Sequence, residues 1–183
     1  MSVSIRQYEN FYGGRPIAVL GGGPSLPADL AHVPAHGVTI AVNHHALLLM
    51  ETDFMVFCDD PANIPALQAA IRNFSGLRIS PQEAWSDFIL DARWWDGGFS
   101  SALAVWAACW FGGDPVLLCG MDCYQGSVKY FYDRYLEEPG SRHPAHEFGL
   151  EANLAAWRPA FHCCPRPERI TALSGPLREI FAQ

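Results

Sequence analysis

The chain of 183 residues is half hydrophobic and 17% charged, the composition of one globular domain covering residues 1–183 rather than of a disordered segment. Its 12 basic and 19 acidic residues leave a net charge of −7, which argues against duplex nucleic acid as a partner for the whole surface, because that affinity comes from Lys and Arg neutralising phosphates. The first ten residues are polar and lack the apolar centre of a secretion signal, and the longest apolar helix candidate, residues 102–111, is too short to span a bilayer, so a soluble cytoplasmic protein is expected. Of the six cysteines, Cys58, Cys109, Cys119, Cys123, Cys163 and Cys164, four lie in apolar runs and none forms a CxxC pair; they read as reduced thiols of a reducing compartment.

In chain order, Ile17–Leu20 is an apolar run that ends in three glycines and reads as a buried strand. A helix to about residue 32 follows, with Ser25 as its cap. Val38–Val42 is a second buried strand with Asn43-His44-His45 at its end, then a short helical stretch over 46–50. Residues 54–58 form a third strand ending in Asp59-Asp60-Pro61, residues 64–74 have helical spacing, and 77–79 suit a short strand. Residues 82–95 are aromatic and ambiguous; Trp85, Trp94 and Trp95 suit either an interface or core packing.

Gly97-Gly98 breaks the chain before an apolar helix over 100–111, which Ser100 or Ser101 can cap and at whose start either can also hold a phosphate. Val116–Cys119 is another strand, ending in Gly120-Met121-Asp122. Residues 124–146 lack a period and read as a long active-site loop or lid. A helix over 147–157, a late strand over 160–163, a further strand over 170–173 and a helix over 177–182 complete the chain. Buried strands alternating with helices predict an α/β, doubly wound Rossmann-like sheet, mostly parallel and flanked by helices.

In such a sheet ligands bind beyond the carboxyl ends of the strands. Gly21, Gly22, Gly23, Asn43, Asp59, Asp60 and Asp122 all fall there, and this convergence points to a nucleotide. The glycine turn lets backbone approach a phosphate and offers N–H groups to it, or is simply a tight turn. It is not GxGxxG, and no Lys follows as in a Walker loop. Asn43 can read a base or ribose, or cap a helix. Of His44 and His45, alternation lets at most one face the ligand. Asp59 and Asp60 can hold ribose hydroxyls or a metal, or cap the Pro61 turn. The loop carries Tyr124, Lys129, Tyr130, Tyr132, Arg134, Tyr135, Arg142, His143 and His146, groups suited to binding an anionic leaving group and moving a proton, or to a solvated surface loop.

Four of these segments in order, Gly21-Gly22-Gly23-Pro24-Ser25-Leu26, Val42-Asn43, Ser100-Ser101-Ala102 and Leu118-Cys119-Gly120-Met121-Asp122-Cys123-Tyr124, resemble a superfamily that contains the bacterial sialyltransferases of glycosyltransferase family 42. It also contains motility-accessory-factor-like proteins, archaeal hydroxymethylpterin pyrophosphokinases, and short bacterial and phage proteins. The resemblance implies that Gly21, Gly22, Gly23, Pro24, Ser25, Asn43 and Ser101 hold a cytidine nucleotide sugar. It implies that Tyr124 and Tyr130, six residues apart, bind its phosphate, and that His146, or else His143, is the general base. Gly22 stands where those enzymes usually have Asn, and Gly97-Gly98 where they have Arg, with Arg93 nearby.

Three functions follow as expectations. The first is a glycosyltransferase with a nucleotide-sugar donor and a hydroxyl acceptor, a glycan or small molecule rather than nucleic acid; it implies no cofactor and no metal. The second is a pyrophosphokinase with magnesium on Asp59, Asp60 or Asp122. The third is a non-enzymatic nucleotide-binding module, phage or bacterial. A homo-oligomer is compatible with each.

Overall fold

A computed structural model of the chain describes residues 3–90, 99–132 and 146–181. Eight strands form one sheet: β1 (Val3–Ser4), β2 (Ile17–Leu20), β3 (Val38–Val42), β4 (Phe54–Val56), β5 (Leu77–Ser80), β6 (Phe88–Ile89), β7 (Val116–Cys119) and β8 (Ile170–Ala172). Their order is β1-β6-β5-β4-β3-β2-β7-β8, and every neighbouring pair is parallel. β2 is central: Ile17 lies opposite Val38 of β3 on one side and Val116 of β7 on the other.

The all-apolar character of β2, β3 and β7 follows from burial on both faces. On one face Ile17, Val19, Ile40, Val56, Val116 and Leu118 meet α3 (Ser100–Trp110) and α4 (Leu150–Cys163). α3 lies across β2, β3, β4 and β7, and its buried run from Ala102 to Cys109 explains why it carries no polar face. On the other face Ala18, Leu20, Ala41 and Cys119 meet Leu26 of α1 (Leu26–Asp29), while Met55 and Phe57 meet Leu67 and Ile71 of α2 (Pro65–Asn73). Trp85 packs on that second cluster, so core packing is its role here. A short helix, α5 (Arg178–Phe181), closes the described chain. No helix of the described residues is long and apolar enough to cross a membrane.

Three expectations about elements need correction. Residues 160–163 are not a strand; they are the last turn of α4, which continues through Pro159. Trp157 and Phe161, one turn apart, pack on Phe181 with ring centroids 6.1 and 5.2 Å away, and Trp157 meets Phe99 at 4.9 Å. That apolar stripe outweighs the one hydrogen bond that Pro159 removes. Ser25 does not cap α1 through its side chain. Neither Ser100 nor Ser101 caps α3, whose N-cap is Phe99; Ser100 Oγ instead accepts from the Cys58 N–H, 3.0 Å, beyond the end of β4. β1 and β6, two residues each, are too short to leave a pattern in the sequence. Arg93, Trp94, Trp95, Gly97, Gly98, Arg134, Tyr135, Arg142 and His143 lie outside the described residues.

Candidate functional site

From β2 the chain steps outward through β3, β4, β5 and β6, whereas β7 and β8 lie on the opposite side. The direction reverses between β2 and β7, and parallel sheets open a crevice at the carboxyl ends of such a pair. A cavity of about 390 Å³ lies there. Gly21, Gly22 and Gly23 line it from β2, Asn43 from β3, and Cys58 and Asp59 from β4. Asp122, Tyr124 and Tyr130 line it from beyond β7, and Ser100 and Ser101 from α3. Pro24, Ser25 and His146 are not among its lining residues, though His146 touches the lining residues Tyr124 and Tyr130. Ile64, Leu67, Phe148, Ala156 and Trp157 give it an apolar wall that no motif announced.

The glycines answer first to the protein itself. A Cβ on Gly21 would strike the Gly120 carbonyl, and one on Gly23 the Asp122 carboxylate. One on Gly22 would lie 2.8 Å from both His45 Cγ and Tyr130 Cδ1. The turn is therefore glycine because Gly120 and Asp122 beyond β7, with His45 and Tyr130, crowd it. Its amides are largely committed too: Gly21 N donates to Cys119 O (2.8 Å), Gly23 N to Gly120 O (2.9 Å), Leu26 N to Gly23 O (3.0 Å) and Ser25 N to Asp122 Oδ2 (3.1 Å). The expected set of free N–H groups for a phosphate is not present at these four positions.

Behind the turn is a polar knot. Ser25 Oγ lies 2.9 Å from Asp122 Oδ2 and 3.0 Å from Asp29 Oδ2; Ser174 Oγ lies 2.6 Å from both Ser25 Oγ and Asp29 Oδ2. Asp29 Oδ2 also accepts the Gly120 N–H at 2.9 Å. The knot ties the ends of β2, β7 and β8 together, and so sets the width of the crevice. Asp29, four residues after Ser25 on α1, has a helical spacing that links it to Ser25; nothing in the sequence singles out Ser174.

The aspartates after β4 divide. Asp60 Oδ1 accepts from Ala62 N at 2.9 Å and caps the turn, while Asp59 stays on the cavity wall. Among the described residues no three His, Cys, Asp or Glu side chains come together as a metal would require.

Rings line the β7 side. Both His44 and His45 line the cavity, against the expectation that only one would, because the chain leaves strand geometry at Asn43, whose φ is +53°. His45 Nδ1 is 2.8 Å from the Tyr132 hydroxyl, and the Tyr130 hydroxyl is 2.8 Å from His146 Nε2. The Tyr124 ring sits 4.6 Å from the His146 ring, the Tyr130 ring 4.8 Å from that of His45, and Phe131 N donates to Gly22 O at 3.1 Å. The part of the loop next to the turn is thus docked onto it. Cys123 and Tyr124 have φ of +52° and +56°, left-handed values uncommon outside glycine. With Asn43 they place three such residues on the cavity, where backbone strain tends to gather in functional sites.

Burial shapes the ionisation. It pushes His44 down to about 4, and holds His45 well below its ordinary value with added repulsion from His44 and His146. Both imidazoles are therefore neutral at pH 7. Burial pushes the Tyr124 phenol up, opposed by its bond to Tyr130 and reinforced by the charge of Asp59. Lys129 Nζ donates to the Tyr124 carbonyl at 2.6 Å. Buried thiols move the same way, and Cys58, Cys119 and Cys123 rise to about 12.

No known family model matches the sequence, and no curated protein matches it. Solved structures do share its fold. The sialyltransferase CstII from Campylobacter jejuni, in complex with the substrate analogue CMP-3FNeuAc, superposes with a TM-score of 0.59 at 14% identity, over 90% of this chain and 84% of that one. The monofunctional α-2,3-sialyltransferase Cst-I from Campylobacter jejuni does so with a TM-score of 0.60 at 17% identity, over 92% of this chain and 79% of its own. A single-site variant of the sialyltransferase Cst-II, in complex with CMP, gives 0.60 at 14% identity, over 90% of this chain and 84% of that one. With its parallel eight-stranded sheet and flanking helices, the chain has the α/β fold of these sialyltransferases.

Proposed function

We propose that the chain is a glycosyltransferase that takes a nucleotide-activated sugar, a cytidine monophosphate sugar as first candidate, and passes the sugar to a hydroxyl acceptor. The observation that carries this reading is the Tyr130 hydroxyl 2.8 Å from His146 Nε2, beside Tyr124, at the switch-point cavity. The shared fold with sialyltransferases, two of them determined with CMP or CMP-3FNeuAc, supports it.

In the reaction the acceptor oxygen bonds to the anomeric carbon as the bond from that carbon to the phosphate oxygen breaks. The nucleotide leaves with the electron pair, and His146 takes the acceptor proton. The phenols of Tyr124 and Tyr130 donate to the departing phosphate, with Tyr130 accepting the His146 Nε2–H, so that Nδ1 of His146 is the nitrogen that takes the acceptor proton. A Tyr124 phenol pushed up by burial stays protonated and able to donate. His44 and His45, neutral, add no charge and offer both a donor and an acceptor to neutral polar groups.

The test is calorimetric titration with CMP, CDP, UDP, GDP, ADP and their sugar conjugates, followed by release of nucleotide from the conjugate that binds. His146→Ala should keep nucleotide affinity and lose turnover by about 10²-fold or more, the size of a general-base contribution. Full turnover in that variant refutes the base assignment, and the absence of any nucleotide binding refutes the reading.

A further inference from the structure

The charges around the cavity are unevenly placed. On the β7 side stand the phenols of Tyr124 and Tyr130 and the ammonium of Lys129. On the β4 side stands Asp59, half-buried on the wall, whose carboxylate makes no hydrogen bond or ion pair among the described residues. The neighbouring Asp60 serves as the cap of the turn, so Asp59 is not needed for that purpose. The charge of Asp59 is felt by Cys58 and by Tyr124, two other lining residues, and raises both after the larger effect of burial. Its carboxylate is thus near enough to Tyr124, beyond β7, for its charge to reach that phenol.

On the reading of this cavity as a nucleotide-sugar site, a donor with its phosphate on the tyrosine side has two hydroxyl-bearing groups that can meet Asp59, its ribose and its sugar. A carboxylate with no partner among the described residues rewards a hydroxyl or ammonium donor there. It opposes a second carboxylate, which would be desolvated beside a like charge. We infer that the donor sugar is a neutral or amino sugar, held through its hydroxyl or ammonium groups by Asp59, and that Asp59 excludes carboxylate-bearing sugars of the N-acetylneuraminate kind. Asp59 is then the specificity-determining residue that separates this chain's donor from that of the sialyltransferases whose fold it shares.

Titration of the full chain with CMP, CMP-N-acetylneuraminate and a synthetic CMP ester of glucose tests this in the unsubstituted protein, Asp59→Asn and Asp59→Ala. The unsubstituted protein should bind CMP at least tenfold more tightly than CMP-N-acetylneuraminate. Both variants should leave CMP affinity within twofold, raise CMP-N-acetylneuraminate affinity at least fivefold, and Asp59→Ala should weaken the glucose ester at least fivefold. Since the Asp59 side chain bonds nothing described, both variants should unfold at the same denaturant midpoint as the parent. Equal affinity of the parent for CMP and CMP-N-acetylneuraminate overturns the inference while leaving the nucleotide site intact. Loss of CMP affinity in the variants also overturns it, by assigning Asp59 to the ribose. If no form binds CMP, the cytidine reading of the site falls and the inference with it.

Discussion

Replacing Asp29 with Ala should loosen the crevice without touching its lining. Asp29 is 5% exposed, and its Oδ2 meets the Gly120 N–H at 2.9 Å, Ser25 Oγ at 3.0 Å and Ser174 Oγ at 2.6 Å. In the variant the two hydroxyls still have each other at 2.6 Å, and Ser25 still has Asp122 at 2.9 Å. The Gly120 N–H loses its acceptor, and Gly120 itself sits at φ +63° in a buried strand end that cannot turn to water. A stranded buried donor costs about 1–3 kcal/mol and a lost charge-assisted bond about 1.5–3 kcal/mol, partly offset by no longer burying a carboxylate, so a net loss of about 3 kcal/mol is expected. For a chain of this length that lowers Tm by about 6–12 °C. Asp29→Asn keeps a carbonyl oxygen for Gly120 and should cost only about 1 kcal/mol. Urea unfolding followed by tryptophan fluorescence reads both as a lower midpoint at unchanged slope. An Asp29→Ala protein within about 0.5 kcal/mol of the parent, inside the scatter of ordinary surface changes, would refute the argument. So would an Asn variant as damaged as the Ala one.

Two further outcomes follow from burial. His44 has a folded value of about 4, below its unfolded value near 6.5, so the folded state binds fewer protons and stability falls as pH drops through that window. His44 alone should remove about 2 kcal/mol between pH 7 and pH 5, His45 should act in the same direction, and His44→Gln should flatten the dependence; a urea midpoint as steep in that variant as in the parent would contradict it. Among the six cysteines Cys163 is the exposed one, while Cys109, Cys119, Cys123 and Cys164 are buried. A thiol reagent at pH 8 should therefore label Cys163 rapidly in the native protein and all six after denaturation. Rapid labelling of Cys119 or Cys123, read by mass spectrometry, would count against the burial described.

Legibility in the sequence tracks burial. β2, β3 and β7 are plain because a strand covered on both faces has to be apolar throughout. Pairs as short as Val3–Ser4 and Phe88–Ile89 offer no period to read, and they are strands only because each finds a neighbour. The end of α4 is misleading at Pro159 because a local rule says proline stops a helix, whereas the Trp157 and Phe161 contacts with Phe181 lie elsewhere in the chain. At the site, Gly21, Asn43, Asp59 and Asp122 can be gathered from sequence since parallel strands bring every carboxyl end to one edge.

The sequence by itself determined the class of the fold and the edge of the sheet where polar residues collect, because both follow from local periodicity and from the direction of parallel strands. Tertiary structure alone decided how those residues are used. It joined Ser25 and Asp122 to Asp29 and Ser174, and gave Ser100 to Cys58. It packed the glycine turn under His45 and Tyr130, and left the Asp59 carboxylate without a described partner on the cavity wall. A hydroxyl or carboxylate looks the same in sequence whether it bonds the protein or waits for a ligand; the difference is a contact across tens of residues, and only the folded chain supplies it.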